Sequence, residues 1–453
     1  MKFLILDVYP SRNIRIVKDT AGGYGTGNDF GKNFFSKILN YFTSKMIAMP
    51  PMYAMYVFSI LKKKQIIVEY DTKIDSKKIN EFDYVIIPSS IVAHESEIAA
   101  ITQLNKLNKK IFVIGVFAEA VRDKYKIGNT YIVKGEPENF FLNLDFDKDN
   151  LDKFFDKKYN PTVNGGFVKN LDELPFPDWK YYLKKHSLKN NFLGFNSKTA
   201  IPILATRGCP YSCFNYCVYP LQQGRKVRFR SINNIIEEIK FCLENLKTNK
   251  FTFRDPVFSI NRKFTYDLCK EIIAQGIKIE FLIETHLKNL DDELISILKK
   301  AGLKLVYVGI ESSSATVLND INRATISNDE QFEKIKKMEA EGIFVKTMFM
   351  LGNPSDDIDS LKNTIDYAKK LPNNLAQFSV FTPYPGTPIY KNFEKTITAD
   401  RFEYFNQYKL VYKHKNITSL DLDKLKGLAY RKYYMNFKRA PVIIKSLLSF
   451  LYR

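Results

Sequence analysis

Cys209, Cys213 and Cys217 lie within nine residues, in Arg207-Gly208-Cys209-Pro210-Tyr211-Ser212-Cys213-Phe214-Asn215-Tyr216-Cys217. Three thiolates so close along a chain can wrap one metal centre. A closed zinc site takes four ligands and disulfides pair cysteines two by two, so three answer neither pattern. They suit a four-iron cluster with one iron left open to an exogenous ligand, a variation on four-cysteine ligation. Only Cys242 and Cys269 complete the cysteine count of five in 453 residues. Cys242 shares an apolar helical stripe with Ile235, Ile239 and Leu246, and Cys269 lies with Ile272 and Ile273, so both read as core thiols. This sparse usage argues against a disulfide-stapled secreted protein and for a reduced, cytoplasmic compartment.

The elements that must position these thiols are legible as alternating strand and helix signals. From Ala200 onward, IPILAT, KFTFRD, KIEFLIET, KLVYVGIES, FVKTMFML and QFSVFTP are short runs rich in β-formers, with helical patterns between them. Six β/α units in about 200 residues predict a partial (β/α)6 TIM-like barrel, too short for the usual eight. The cysteines follow its first strand, at the face where barrel active sites lie. One of its helices is announced by Ser327-Asn328-Asp329-Glu330 and ends near Gly342.

Residues 1–145 show the same alternation in FLILDV, QIIVEYD, DYVIIPSS, KIFVIGV and TYIVKG, with helical patterns at Met52–Lys64 and Glu95–Leu107. This predicts an α/β, doubly wound parallel sheet of Rossmann-like type, its ligand at the carboxyl ends of the strands. Gly22-Gly23-Tyr24-Gly25-Thr26-Gly27 resembles a phosphate turn. It misses the GxGxxG spacing and does not follow a strand directly, so a flexible ligand-side loop is expected there and not a dinucleotide site. Residues 146–197 read as a linker, 198–399 as the barrel, and 400–453 as a small basic helical C-terminal segment.

With 45% apolar and 26% charged residues, the composition excludes a disordered or collagen-like chain. The formal net charge is +20. Twelve Lys/Arg against four Asp/Glu fall in residues 400–453. No nucleic-acid motif accompanies them, so no nucleic-acid partner is expected. The segment also holds apolar VIIKSLLSFL, which is too short to span a bilayer. It suits peripheral contact with an anionic membrane, at its inner face, or an anionic lipid-linked substrate. The first residues, MKFLILDVYP, read as a strand and not a signal peptide.

The cysteine loop resembles that of the radical S-adenosylmethionine (radical SAM) superfamily, and best its subgroup with an N-terminal cobalamin-binding domain. The landmarks fall in order: Leu174-Pro175-Phe176-Pro177-Asp178, Phe253-Arg254-Asp255, Gly309-Ile310-Glu311-Ser312, Met350-Leu351-Gly352-Asn353-Pro354 and Pro383-Tyr384-Pro385-Gly386-Thr387-Pro388. In the first domain, Pro50-Pro51-Met52, Asp83-Tyr84-Val85-Ile86-Ile87 and Val133-Lys134-Gly135-Glu136-Pro137-Glu138 resemble the cobalamin module. Two departures stand out. The cysteines are spaced CxxxCxxxC where the subgroup has CxxxCxxC, and Ile114-Gly115-Val116-Phe117 stands where paired glycines are common. There is no DxHxxG, which speaks against a His-ligated cobalamin; the subgroup commonly lacks that His.

The resemblance implies a [4Fe-4S] cluster on Cys209, Cys213 and Cys217, and S-adenosyl-L-methionine (SAM) bordered by Gly309, Ile310, Glu311 and Gly352. It places Tyr216 against the adenine, Arg323 at the SAM carboxylate, and Asp255 and Glu284 at polar groups of SAM or substrate. Reductive cleavage of SAM would give a 5′-deoxyadenosyl radical, with an external one-electron reductant as partner. Methylcobalamin would then methylate an unactivated carbon of a small-molecule, lipid- or glycan-linked substrate. The alternatives are a non-methylating radical SAM epimerase, cyclase or oxidoreductase, and, more remotely, a non-enzymatic metal- or ligand-binding protein. A tRNA methylthiotransferase would carry a second cysteine cluster before the barrel, and residues 1–150 contain no cysteine.

Overall fold

The computed structural model describes residues 1–453 except 11–14, 19–22, 32–33, 35, 39, 42–46, 49, 76, 157–164, 187–188, 191–199, 212, 437–438 and 440–453. Two parallel sheets organise it. The first contains β1 (Lys2–Leu6), β2 (Ile67–Asp71), β3 (Tyr84–Pro88), β4 (Lys110–Ile114) and β5 (Thr130–Ile132). Their order is β2-β1-β3-β4-β5, every pair parallel. This is a doubly wound arrangement whose strand order reverses between β1 and β3. Its helices include α1 (Met52–Lys63), α2 (His94–Lys106) and α3 (Pro137–Asn143).

The second sheet runs in sequence order through β6 (Ile201–Ile203), β7 (Lys250–Phe253), β8 (Glu280–Thr285), β9 (Leu303–Glu311), β10 (Phe344–Leu351) and β11 (Leu375–Val380). All neighbours are parallel, which makes a six-stranded open barrel. Between consecutive strands lie α4 (Ile232–Leu246), α5 (Arg262–Ala274), α6 (Asp292–Ala301), α7 (Asn328–Ala340) and α8 (Ile358–Lys370). Each starts on a polar cap, Ser231, Asn261, Asp291, Ser327 or Asp357, whose side chain accepts the backbone N–H three residues on. Caps of this kind satisfy one otherwise orphaned donor and set where each strand-to-helix loop must end.

The two sheets share a core. One continuous apolar cluster takes in Phe3, nearly the whole of α1, Trp179 and the helix-facing side of the barrel strands. Every residue of α1 from Met52 to Leu61 is buried. A helix apolar on all sides is one packed on all sides. The segment between the sheets takes part in this packing through Val168, Leu171, Leu174 and Trp179. The glycine-containing segment expected to be a flexible loop is instead partly core. Gly23, Tyr24 and Gly25 are buried, and Thr26–Asn28 pairs with Arg15–Val17.

The last barrel strand, β11, would leave an open edge of backbone donors and acceptors. Helix α9 (Ser419–Tyr434) covers it. Two tyrosines one helical turn apart meet backbone groups two residues apart on the strand. Tyr430 Oη accepts the Phe378 N–H at 3.1 Å and donates to the Phe378 carbonyl at 3.2 Å. Tyr434 Oη does the same for Ala376, at 3.0 and 2.6 Å. Among the described residues no helix is long and apolar enough to cross a membrane. The apolar C-terminal stretch expected to contact a membrane lies outside the described residues.

Tyr430→Phe strands one buried N–H and one buried C=O, and we expect a loss of about 1–3 kcal/mol. Urea or thermal unfolding would report it as a lowered midpoint, with a smaller fall for Tyr434→Phe. An unchanged midpoint in Tyr430→Phe would remove this role.

Candidate active site

The cysteine loop leaves the barrel from the extension of β6. Thr206–Arg207 pairs antiparallel with Arg228–Phe229, which closes the loop at its base. Gly208 has φ of +101°, and a Cβ there would stand 2.3 Å from the Lys226 carbonyl, so only glycine fits this crossing. Its N–H donates to Gln223 Oε1 at 3.1 Å, and the Cys209 N–H donates to the Gly224 carbonyl at 3.2 Å. Cys213–Asn215 forms a helical turn, and the Cys217 N–H reaches back to the Cys213 carbonyl at 3.1 Å. The extra residue of CxxxCxxxC therefore closes one turn and puts Cys213 and Cys217 on the same side of it.

The two thiols touch. The Cys217 S–H hydrogen bond lowers the Cys213 pKa, with Arg323 adding to the effect, and the same hydrogen bond raises Cys217 well above its usual value. Burial raises Cys209. Cys209 and Cys213 are buried, Cys217 partly so. Among the described residues, no three His, Cys, Asp or Glu side chains gather tightly enough for a single metal ion. A four-iron cluster takes thiolate donors, and three from one loop leave one iron open. The donor set fits such a cluster.

Arg323 joins this loop to the end of β9. Its Nη2 donates to the Gly309 carbonyl at 2.8 Å, lies 3.5 Å from Glu311 Oε1, and its guanidinium reaches the Cys213 thiol. A bulge falls between Gly309 and Glu311, and Glu311 sits at φ of +66°, a strained value for a residue with a side chain. Gly309 makes room for this arrangement: a Cβ there would be 2.5 Å from both Arg323 Nη2 and Glu311 Oε1. Ile310 turns its side chain away, into the core. Tyr216 is close enough to Glu311, Arg323 and both thiols to feel their charges. The structure thus brings together Cys209, Cys213, Cys217, Tyr216, Gly309, Glu311 and Arg323.

Three other expected residues sit differently. The Asp255 carboxylate accepts the Ala205 and Thr206 N–H groups and the Thr206 hydroxyl, so it is engaged in holding the strand that feeds the cysteine loop. Burial raises its pKa to about 6. Gly352 faces Leu422 of α9, and its carbonyl accepts the Tyr412 hydroxyl at 2.9 Å. Glu284 lies deeper in the barrel. It is in register with Tyr307 on β9 and, through it, with Lys346 on β10. Lys346 Nζ donates to Gln377 Oε1 at 2.6 Å and lies 4.6 Å from the Tyr307 ring centre. Burial raises the Glu284 pKa, opposed by Arg254 and Lys346. Sequence reasoning passed over Lys346 and Gln377. The available signal was a charged or amide side chain in an otherwise apolar strand, at a position whose alternate neighbours pack on helices.

Arg207 was also passed over. It stands two residues before Cys209 and is buried between the two sheets. Its Nη2 is 2.8 Å from Glu138 Oε1 and its Nη1 3.3 Å from Glu136 Oε1, with the Tyr56 ring centre 5.1 Å away. Arg228, from the paired strand, makes a fork with Glu136 at 2.7 and 2.9 Å. Burial works against ionisation of Glu136, yet Arg207 and Arg228 hold it below its usual pKa. Glu138 is pushed up by burial despite Arg207, and its second oxygen has no hydrogen bond among the described residues. Glu138 also lines a small interdomain cavity with Tyr53, Arg207, Gln222, Gln223 and Arg254.

Residues 203–368, from the end of β6 to α8, match the sequence profile of the Radical SAM superfamily. Those residues form a radical SAM domain. An uncharacterised methyltransferase of Pyrococcus horikoshii is 28% identical to this chain over 282 residues. The aligned part is 62% of this chain and 59% of that protein. The bacteriochlorophyllide d C-12(1)-methyltransferase of Chlorobaculum tepidum is 23% identical, over 68% of this chain and 65% of its own. The chain therefore spans about three fifths of the length of these relatives. Among solved structures, the radical SAM methyltransferase TsrM of Kitasatospora setae, with cobalamin and a [4Fe-4S] cluster bound, superposes with a TM-score of 0.63 at 13% identity. That match covers 96% of this chain and 88% of TsrM, so the two-sheet architecture is shared from end to end.

Replacing Arg207 with Met strands the buried Glu138 carboxylate and leaves Glu136 to Arg228 alone, and we expect a loss of about 3–5 kcal/mol. A double change, Arg207→Met with Glu138→Leu, should recover part of it. Urea unfolding of the single and double variants checks this; a double variant no more stable than Arg207→Met would mean that packing, and not the stranded charge, sets the cost.

Proposed function

We propose that this chain is a cobalamin-dependent radical SAM enzyme, a methyltransferase acting on an unactivated carbon. The observation that supports it most is the meeting of three loop thiols with Arg323, Glu311 and Gly309 at the carboxyl face of a barrel packed against a doubly wound domain. When bound, the cluster and SAM supply a 5′-deoxyadenosyl radical and methylcobalamin supplies the methyl group.

Cys209, Cys213 and Cys217 would hold the cluster. Arg323 offers a guanidinium to a carboxylate, and Glu311 offers acceptors to hydroxyl or amino groups. Gly309 lets the backbone come close to SAM, while Tyr216 presents a ring beside the thiols. Asp255 acts as a positioning residue, through the strand it holds. The polar layer of Glu284, Tyr307, Lys346 and Gln377 lies inside the barrel, one pair of strand positions below Gly309, and would orient polar groups of a small-molecule substrate. Between the domains, Glu138, Arg207, Gln222 and Gln223 present donors and acceptors suited to the amide rim of a corrin ring. The unsatisfied Glu138 oxygen is an acceptor for one such amide. An external one-electron reductant completes the system.

The runner-up is a radical SAM enzyme that does not transfer methyl groups. It is favoured by the 27% identity, over 67% of this chain and 51% of the relative, to an anaerobic magnesium-protoporphyrin IX monomethyl ester cyclase of Cereibacter sphaeroides.

Reconstituted anaerobically with iron and sulfide, the protein should convert SAM to 5′-deoxyadenosine when a reductant is added, measured by chromatography. Cys209→Ala, Cys213→Ala and Cys217→Ala should each reduce that to background. Gly309→Ala should keep the cluster absorption but weaken SAM binding about tenfold or more, because the new methyl displaces Arg323 and Glu311. An intact cluster that yields no 5′-deoxyadenosine would overturn the reading.

A further inference from the structure

Arg323 meets Gly309, Glu311 and Cys213 from a segment outside any helix or strand. The segment follows the helix Ala315–Asp320 and precedes α7. Asn322 turns the chain through a left-handed φ of +50°. The Arg323 N–H then donates to the Leu318 carbonyl at 2.8 Å, which fixes the residue on its N-terminal side. On the C-terminal side the hold comes from another strand. His286, the first residue after β8, is buried, and its Nε2 donates to the Ala324 carbonyl. The Lys288 N–H donates to His286 Nδ1 at 3.3 Å. With Nδ1 an acceptor, the proton stands on Nε2, so the ring is the neutral tautomer that can donate to a carbonyl. Burial, with the Arg323 charge adding to it, lowers the ring's pKa to about 3, in keeping with that form.

The same turn holds the cysteine loop. Leu287–Asn289 is a single helical turn. Tyr211, between Cys209 and Cys213, donates its hydroxyl to Asn289 Oδ1 at 2.7 Å. Its ring centre lies 5.5 Å from that of His286 and 4.3 Å from Lys288 Nζ. The turn after β8 is therefore a bracket with two arms, one to the thiol loop and one to the backbone that carries Arg323. A guanidinium grips a carboxylate with two parallel N–H bonds, so its usefulness depends on its aim. Releasing the Ala324 carbonyl would free the backbone between Arg323 and α7, and the long side chain would lose that aim with it.

We propose, resting on the radical SAM reading above, that His286 is a positioning residue: through the Ala324 carbonyl it keeps the Arg323 guanidinium aimed across the thiol loop, ready for the carboxylate of SAM. The two ring nitrogens divide the work. Nδ1 caps the turn after β8, and Nε2 reaches out to the segment that carries Arg323. A glutamine places an N–H as far along the side chain as Nε2, whereas an asparagine reaches only as far as Nδ1. Glutamine at this position would keep the Ala324 bond and lose the acceptor for Lys288. Asparagine would keep that acceptor and lose the bond.

The full-length protein, reconstituted with iron and sulfide, is assayed for bound iron, for SAM affinity by equilibrium dialysis with labelled SAM, and for its urea midpoint. His286→Asn should keep the iron content of the unmodified protein and bind SAM about tenfold more weakly; His286→Gln should bind SAM within about threefold of the unmodified protein. The urea midpoints should run the other way, with His286→Gln the lower, because it loses the Lys288 contact. A role confined to folding would move both measurements in the same order. SAM bound by His286→Asn as tightly as by the unmodified protein overturns the proposal, and so does a His286→Gln no better than His286→Asn. Iron lost from His286→Asn would put the residue's role in the cysteine loop, again against the proposal. If the unmodified protein holds its cluster but binds no SAM, the radical SAM reading itself fails, and the proposal with it.

Discussion

The guanidinium of Arg207, buried between two carboxylates of another domain, is the contact on which the rest of the architecture turns. An unpaired charge in that position would cost several kcal/mol, so the two domains must dock with Glu136 and Glu138 against Arg207. Arg207 is also the last residue before the glycine crossing into the cysteine loop. Docking and loop geometry are therefore one problem with one solution. Arg228 belongs to the same solution, since it clamps Glu136 from the strand that closes the loop. Arg207 both lines the cavity between the domains and leads into the cysteine loop, so the two share a wall.

Around this anchor the barrel is arranged by backbone constraints more than by side-chain chemistry. Asp255 holds the strand entering the loop. Gly208 and Gly309 permit approaches that any Cβ would block, and the bulge before Glu311 turns its carboxylate toward Arg323. The left-handed φ of Glu311 stores strain at the point where the β9 end meets the cysteine loop, as functional sites commonly do. The far edge of the sheet is closed by a different device, two tyrosine hydroxyls that take the place of a seventh strand.

Much of this was legible in the chain. Alternation of apolar runs with helical stripes showed both sheets, and cap residues such as Ser327 marked helix starts, because both are local and periodic. The spacing of the three cysteines marked the loop that follows β6, and Cys242 and Cys269 lie in the core as their stripes implied. Less was visible where meaning depends on distant partners. Asp255 looks like a ligand from its place after β7, yet backbone amides fifty residues earlier engage it. Gly352 follows β10 as expected but packs beneath a C-terminal helix. Gly23 to Gly25 suggested mobility by composition, and burial between domains reversed that reading.

By itself, then, the sequence determined the element types, the order of the β/α units and the place of the three-cysteine loop. These follow from residue type and short-range spacing, which folding does not alter. Tertiary structure alone decided which charges meet: Arg207 with Glu136 and Glu138, Arg323 with Glu311 and Cys213, Lys18 with Asp7 and Glu97. Each pair joins residues that are anonymous in sequence, because a buried charge is defined by the partner that makes its burial affordable. The extra residue between Cys213 and Cys217 shows both sides of this division. Its presence is a fact of sequence, and the helical turn it completes, with Cys213 and Cys217 on one side, is a fact of the tertiary structure.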